Sequence, residues 1–272
     1  MALREHRIDT GRLTVNVREA GQGRPAVFMH GITANAAIWD PVLDQLASAF
    51  RVVSMDQRGH GLTDKPPTGY TAEELSDDVL SLVETLDAGP ALLVGHSLGA
   101  RNALVAATRR PELVAAVVAI DFTPYIEPEV FDALSTRVRG GDRLFGSPAE
   151  ITAYLSERYP RLPLDAIERR ARHGYRAVDG GYRPLADPDA MAQTADGLRA
   201  DLAPAVRQVR CPTLLIRGAD STLVSPAAFE RTLRLRPDFA HIVVAGADHY
   251  VPEEQPDAVC AAIRTFAKDG PQ

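Results

Sequence analysis

Short apolar runs alternate with helix-like segments through the first half of the chain. Four runs are continuous rather than alternating, which is typical of strands buried on both faces of a sheet. They lie at 26–29, 52–55, 91–94 and 115–120. Between and after them the sequence predicts helices at about 38–48, 71–87 and 98–109. This β-α-β-α alternation predicts a mostly parallel sheet with helices on both faces.

Further strands are predicted at both ends of the chain. Residues 12–19 alternate between apolar and polar side chains as a half-buried strand does, after a short strand near 5–9. Strand character returns at 213–216 and 241–245, and a helical pattern follows each of these segments, at 226–235 and 255–267. The pattern therefore predicts eight strands.

From residue 122 to about residue 210 the pattern changes. Prolines recur, glycine pairs stand at 140–141 and 180–181, and we find no strand-like run. We therefore predict a helical cap over residues 122–210, inserted after the sixth strand. Residues 1–121 and 211–272 then form the α/β core.

The composition is that of a soluble globular protein. With 272 residues, 45% of them apolar and 24% charged, the chain is long enough for one α/β domain. The net charge is −6 and there is no basic stripe, so we expect no nucleic-acid partner. No run approaches the roughly 18 apolar residues of a membrane span, and the N-terminus lacks a signal-peptide core. We expect a cytoplasmic protein with no membrane partner.

A Gly-x-Ser-x-Gly motif occupies residues 95–99, with Ser97 at its centre. It follows the apolar run 91–94 and opens the helix predicted at 98–109, which is the strand–turn–helix setting that a nucleophile elbow requires. Such a turn holds the serine above the sheet at a helix N-terminus, where the backbone dipole favours developing negative charge. We predict that Ser97 is a nucleophile.

Serine needs a general base and a site for the oxyanion. His249, one of seven histidines, follows the last predicted strand, at the carboxyl end of the sheet, where open α/β sheets bind ligands. The His-Gly-Ile segment at 30–32 follows the third strand. We predict that His249 is the base and that the backbone amides of Ile32 and Leu98 form the oxyanion hole.

These features, in this order, resemble the α/β-hydrolase family. The resemblance is carried by HGIT at 30–33, Trp39, DQRGHGLTDKP at 56–66, GHSLG at 95–99 and GADHY at 246–250. It implies an α/β-hydrolase fold, with a mostly parallel eight-stranded sheet, helices on both faces and a helical cap after strand six. It also implies serine hydrolase chemistry with no cofactor and no metal.

Two aspartates compete to orient the histidine. Family members usually carry the acid after strand seven, three residues past a glycine; counted from Gly218, that position is Ser221. Asp220 lies one residue early. Asp121 ends the sixth strand, where a carboxylate after a buried run is costly to hold without a partner. We predict Asp121 as the acid, with Asp220 as the alternative.

Segments inside the cap narrow the function further. The stretches AYLSERYP, GYRPLA and AMAQTADGLRADL resemble members of the family that cleave the amide bond of a small dicarboxylate in vitamin B6 degradation. That resemblance implies that Arg137, Arg158 and Tyr159 bind the substrate, since guanidinium groups bind carboxylates in bidentate fashion.

Several alternatives stay open at this point. A carboxylesterase or a carbon–carbon bond hydrolase would use the same residues on another acyl compound, and a binding protein with this fold would not turn over. His249 could also activate water directly, without an acyl-enzyme. The sequence leaves the oligomeric state open, with a homodimer as one option.

Overall fold

The structure, a computed structural model, describes residues 2–269. Eight strands form one sheet: β1 (Arg4–Asp9), β2 (Thr14–Ala20), β3 (Pro25–Met29), β4 (Arg51–Met55), β5 (Ala91–His96), β6 (Val114–Ile120), β9 (Thr213–Gly218) and β10 (Ala240–Val244). Their order across the sheet is β1-β2-β4-β3-β5-β6-β9-β10. The β1–β2 and β2–β4 pairs are antiparallel, and all the others are parallel. The predicted mostly parallel eight-stranded sheet is confirmed.

Helices pack on both faces of this sheet. The helices of the described residues are α1 (Asp40–Leu46), α2 (Ala72–Leu86), α3 (Leu98–Arg109), α4 (Pro128–Arg139), α5 (Pro148–Arg158), α6 (Leu164–His173), α7 (Pro188–Gly197), α8 (Ala203–Gln208), α9 (Pro226–Leu235), α10 (Val251–Glu254) and α11 (Pro256–Asp269). Helices α2 and α3 contribute to the core on one face, and α1 and α11 to the core on the other. Short 3₁₀ turns cover Ala36–Trp39 and Pro111–Leu113. The helices predicted in the core are all present, with ends shifted by a few residues.

The continuous apolar runs are explained by two cores, one on each face of the sheet. In β3, Val27 and Met29 pack in a cluster that includes side chains of α2 and α3. Their neighbour Phe28 points the other way, into a cluster with Trp39 and side chains of α1 and α11. Because successive side chains of a strand face opposite sides, a strand covered on both faces needs apolar residues throughout.

Between β6 and β9 the chain forms α4 to α8 and one hairpin. The hairpin pairs β7 (Tyr175–Val178) with β8 (Gly181–Pro184), so the prediction of no strand in this region is wrong. Each of these strands has only four residues, none of them buried, and therefore lacks a recognisable apolar run. Gly180 and Gly181 make the turn with φ of 81° and 148°, which side chains rarely adopt.

Among residues 2–269, no helix has the length and apolar character needed to cross a lipid bilayer.

Candidate active site

Ser97 lies at the sharp turn between β5 and α3. Its backbone angles, φ 53° and ψ −111°, are strained for a residue with a side chain. The serine is the N-cap residue of α3, yet its side chain makes no capping hydrogen bond. The hydroxyl is therefore free to act in the cavities that it lines.

Two glycines of the motif make this turn possible. A Cβ placed on Gly95 would lie 2.2 Å from the backbone carbon of Gly99, and a Cβ on Gly99 would lie 2.2 Å from the carbonyl oxygen of Met29. Both distances are far too short for real carbon contacts. Helix α3 therefore packs directly against β3 and β5, and a side chain at either glycine would displace the serine.

His249 lies in the loop between β10 and α10, and only 6% of it is exposed. Its Nδ1 atom is 2.7 Å from Oδ2 of Asp121. Because an ionised carboxylate only accepts hydrogen bonds, Nδ1 carries the proton and Nε2 keeps a free lone pair, as a general base requires. The backbone carbonyl of His249 accepts a 2.7 Å hydrogen bond from Nε2 of His96, which fixes the loop.

Asp121 is buried at the carboxyl end of β6, with φ of 49°. In addition to the imidazole, it binds two donors from the end of β9: the amide of Gly218 at 3.0 Å and the hydroxyl of Ser221 at 2.6 Å. Three donors therefore satisfy a carboxylate that would otherwise be costly to bury.

The other aspartates near the histidine point elsewhere. Asp220 accepts a 2.7 Å hydrogen bond from Arg161, and half of its side chain is exposed. Asp248 accepts a 2.8 Å hydrogen bond from the amide of Thr222. Of the two aspartates that the sequence offered, the structure brings Asp121 to the imidazole and leaves Asp220 at the surface.

Ser97 and His249 line the same cavities. Within residues 2–269, however, no hydrogen bond joins the serine hydroxyl to the imidazole, whose only side-chain bond is the one to Asp121. Hydrogen bonds between a nucleophile and its base are often loose before substrate binds and tighten in the complex. Transfer of the hydroxyl proton to Nε2 would therefore require the hydroxyl to turn toward the imidazole.

Two backbone amides face the serine. Leu98 begins α3, so its N–H has no partner within the helix. Ile32 follows Gly31, and a Cβ placed on Gly31 would lie 3.4 Å from the Cβ of Ser97, so this loop passes directly over the serine. Among the described residues, neither amide donates to a protein acceptor. Two free amides beside a hydroxyl can stabilise an oxyanion.

Two buried histidines, His30 and His60, hold the loop at residues 30–33 in place. Nδ1 of His60 donates to a backbone carbonyl, so its Nε2 accepts the 3.2 Å hydrogen bond from the amide of Thr33. Nε2 of His30 likewise accepts from the amide of Gln57, at 3.1 Å. Burial lowers the pKa of His30 to about 4 and that of His60 to about 3, so both rings are neutral acceptors at pH 7.

Helices α4 and α5 bring Arg137, Arg158 and Tyr159 to one wall of a cavity that also contains Ser97. Each arginine donates from Nη2 to the backbone carbonyl of the other, at 2.8 Å. The guanidinium of Arg137 lies 4.9 Å from the centre of the Tyr159 ring. In the described part of the chain, neither arginine forms an ion pair with a carboxylate. Two positive charges without a counter-ion, beside a serine hydroxyl, favour the binding of an anion.

Arg170 lines the same cavity and was not indicated by the sequence. It is buried, with its guanidinium 4.5 Å from the centre of the Tyr159 ring. Its charge is balanced by Glu253, whose Oε1 accepts from Nε at 2.9 Å. The ring of Tyr250, next to His249, packs edge-on against Tyr159 at 5.0 Å. A helix of the 122–210 segment is thereby tied to the loop that carries the imidazole.

The cavity that Arg137, Arg158 and Arg170 line is positively charged and small. Burial alone would raise the pKa of the Tyr159 phenol, but three neighbouring guanidinium groups hold that pKa below its usual value. The cavity volume is about 20 Å³, which is room for little more than one water molecule. An anion larger than water therefore has to displace side chains to enter.

Comparison with known proteins identifies relatives over nearly the whole chain. The model of a family described as the alpha/beta hydrolase family matches residues 26–262. The chain is 55% identical over 260 residues to a 2-(acetamidomethylene)succinate hydrolase of Mesorhizobium japonicum, an alignment that covers 96% of this chain and 94% of that protein. It is 25% identical to an (E)-2-((N-methylformamido)methylene)succinate hydrolase of Acinetobacter baylyi, with 95% of each chain covered.

A solved structure agrees with these relatives. The fold matches the crystal structure of an E-2-(acetamidomethylene)succinate hydrolase with a TM-score of 0.97 and 54% sequence identity. The match covers 98% of this chain and 100% of the solved one. At that identity, the likeness extends to the whole arrangement of sheet, helices and 122–210 segment.

Proposed function

This chain belongs to the α/β-hydrolase family and is a hydrolase, and from that premise we propose that it cleaves an amide bond in a small dicarboxylate. The substrate we propose is (E)-2-(acetamidomethylene)succinate, which the relative from Mesorhizobium japonicum is named for. The products are acetate, succinate semialdehyde, ammonia and carbon dioxide.

One observation carries this proposal beyond the family. Arg137 and Arg158 lie in the cavity that Ser97 also lines, and neither has a carboxylate partner among residues 2–269. A substrate with two carboxylates supplies the missing anions and places its amide next to the serine. A neutral ester would leave both charges without a counter-ion, so the pair favours a dianion.

The proposed reaction begins with acyl transfer. Ser97 attacks the acetamide carbonyl carbon as His249 takes the hydroxyl proton, and Asp121 stabilises the imidazolium that forms. The amides of Ile32 and Leu98 donate to the oxyanion, and losing one such donor typically costs about 2.7–4 kcal/mol of transition-state stabilisation. His249 then protonates the leaving nitrogen, and the carbon–nitrogen bond breaks.

Two water molecules complete the reaction. The first attacks the acetyl ester on Ser97 and releases acetate, with His249 acting as the base. The second hydrolyses the freed enamine, which releases ammonia and leaves an aldehyde with a carboxylate on its α-carbon. Loss of carbon dioxide from that compound gives succinate semialdehyde. These later steps need little from the protein.

Substrate binding requires movement, because the arginine-lined cavity holds little more than one water molecule. We propose that residues 122–210 act as a cap over a core of residues 1–121 and 211–272. The carboxylates enter by replacing the two guanidinium–carbonyl hydrogen bonds between α4 and α5. Tyr159, packed among the guanidinium groups, keeps them oriented toward the substrate.

The proposal is tested by incubating the purified protein with (E)-2-(acetamidomethylene)succinate and measuring acetate and ammonia. We expect one of each per substrate consumed. A panel of neutral aryl esters and vinylogous 1,5-diketones, run in parallel, tests the carboxylesterase and carbon–carbon hydrolase alternatives. Rapid turnover of those compounds, with none of the dicarboxylate, would replace the proposed substrate.

Assembly and location remain predictions. A homodimer is the option that the sequence leaves open, and for it light scattering after gel filtration should give twice the chain mass of 29.4 kDa. A single-chain mass would refute it. We also propose that the enzyme acts in the cytoplasm, which fractionation of the source cells would test.

A further inference from the structure

Two cavities of very different size meet at Ser97 and His249. The smaller cavity, with the arginines of α4 and α5, has a volume of about 20 Å³. The larger has a volume of about 550 Å³, within the range of roughly 300–1,000 Å³ that is usual for sites of whole small-molecule ligands. Leu134 and Leu223 line both cavities and mark the boundary between them.

The two sides of the scissile bond fit these two spaces differently. Under the proposed function, on which this inference rests, the leaving nitrogen carries both carboxylates toward Arg137 and Arg158. The acyl substituent projects from the other side of the carbonyl carbon, toward the larger cavity. An acetyl group fills that direction with a single methyl, so nearly all of the 550 Å³ stays unused by the acetyl substrate.

Part of the wall of the larger cavity suits hydrocarbon. Its apolar side chains include Phe122, Leu134, Leu202, Ala203 and Leu223. Charged groups also line it: the guanidinium of Arg101 and the carboxylates of Asp121 and Glu127 lie in the wall. Exposed residues lie at the rim, with arginines at 199, 207 and 231 and an aspartate at 201. An acyl chain can cover the apolar wall and leave these charges where they are.

We infer that this cavity is an acyl-binding chamber and that the enzyme hydrolyses amides and esters of straight-chain acyl groups of four to six carbons, in addition to acetyl. The bond changes are those of the acetyl reaction. The serine oxygen bonds to the acyl carbon, and the leaving nitrogen or oxygen departs with the proton from His249. Water then attacks the acyl ester as His249 takes one of its protons, and the imidazolium passes that proton to the serine oxygen as the fatty acid leaves.

A homologous series of substrates tests this directly. Acetyl, butanoyl and hexanoyl amides of the same aminomethylene succinate are compared by kcat/KM. We expect the hexanoyl amide to be hydrolysed within about tenfold of the acetyl amide. An acyl site built for acetyl alone would reject even one extra methylene by about 10–200-fold, and that result would overturn the inference while leaving the proposed function intact.

A second series separates this inference from the choice of dicarboxylate. The 4-nitrophenyl esters of acetate, butanoate and hexanoate carry the same acyl groups on a neutral leaving group. We expect kcat/KM for the hexanoate ester to equal or exceed that for the acetate ester. If none of the dicarboxylate amides reacts but the esters show this order, the proposed substrate is wrong and the chamber stands. A steep fall from acetate to hexanoate overturns the chamber.

The variant Ala203→Phe tests the chamber by reducing the space available to a long acyl chain. Ala203 is buried at the first position of α8, so a phenyl ring there projects into the cavity. We expect the hexanoyl-to-acetyl ratio of kcat/KM to fall at least tenfold. Ala227→Phe, the same change at an exposed alanine of α9 outside the chamber, should leave the ratio unchanged.

The ratio also distinguishes an acyl site from a mere entrance. If the cavity serves only to admit substrate, Ala203→Phe slows both acyl groups equally, and the unchanged ratio would refute the inference. Thermal unfolding of both variants and their measured turnover of the acetyl substrate show that the chains are folded.

Discussion

The hydroxyl of Ser221 donates a 2.6 Å hydrogen bond to Oδ2 of Asp121, the same oxygen that binds the imidazole of His249. Ser221 occupies the position after β9 where members of this family usually carry the acid. Here the carboxylate that binds the imidazole lies at the end of the neighbouring strand β6, and the hydroxyl of Ser221 donates to it. Because β6 and β9 are adjacent, either strand end can reach the same histidine.

Replacing Asp121 by asparagine should therefore abolish most of the activity. The amide can donate to Nδ1 and so favours the wrong imidazole tautomer, for which we expect kcat to fall by about 10⁴. Steady-state kinetics with (E)-2-(acetamidomethylene)succinate measure the loss. Asp220→Asn, at the surface beside Arg161, is the matched control and should keep kcat within twofold. The reverse pattern would show that Asp220 is the acid.

Removing the guanidinium of Arg158 should weaken binding of the dicarboxylate specifically. A hydrogen bond to a charged group is worth about 1.5–3 kcal/mol, so Arg158→Ala should raise KM roughly 10- to 100-fold. The same variant should hydrolyse 4-nitrophenyl acetate at the native rate, since that ester has no carboxylate. Arg161→Ala, an exposed neighbour paired with Asp220, serves as control. Equal losses on both substrates would indicate a structural role for Arg158.

The buried pair of Arg170 and Glu253 should dominate the stability of the contact between α6 and the His249 loop. Glu253→Gln leaves the guanidinium buried without a counter-ion, which typically costs about 3–5 kcal/mol. Urea denaturation measures the change in the free energy of unfolding. Asp196→Asn breaks an exposed pair with Arg139 and should cost less than about 1 kcal/mol. Similar values for the two variants would contradict this explanation.

His30 and His60 should make the protein less stable as the pH falls below about 6.5. In that range the unfolded chain binds a proton at each ring, whereas the folded protein does not until about pH 4 and about pH 3 respectively. Each histidine therefore lowers the free energy of unfolding by about 1.4 kcal/mol per pH unit. Urea denaturation at pH 6.5, 5.5 and 4.5 measures how steeply the free energy of unfolding falls with pH. His60→Gln should reduce this slope by the contribution of one proton, about 1.4 kcal/mol per pH unit. If His60→Gln leaves the slope unchanged, His60 is not the neutral buried imidazole that we describe.

The strands and helices of the core could be predicted from the sequence, because strands that are buried on both faces of the sheet are continuous apolar runs. Every long strand between β3 and β6 is a continuous apolar run, and the serine motif stands between a strand and a helix. The β7–β8 hairpin escaped prediction because its short strands contain no buried residue and carry polar residues such as Arg176 and Arg183.

The arginine-lined wall was only partly predictable. Arg170 is buried although Arg172 on the same helix is exposed, and its partner Glu253 is 83 residues away in the sequence. Its one local signal is a spacing of three from Ile167, on the buried face of α6. Arg137 and Arg158 were predicted only through the resemblance to the family. The sequence itself does not distinguish an arginine that lacks an ion pair from one that has a partner.

The proposed mechanism depends above all on Ser97 acting as the nucleophile. Rapid quenching of the reaction, digestion and mass spectrometry should find one acetyl group on the peptide that contains Ser97. Ser97→Ala should lose both this adduct and all measurable turnover, with an unchanged thermal midpoint. Full turnover of (E)-2-(acetamidomethylene)succinate by Ser97→Ala would contradict the role of Ser97 as the nucleophile, because His249 would then be activating water directly.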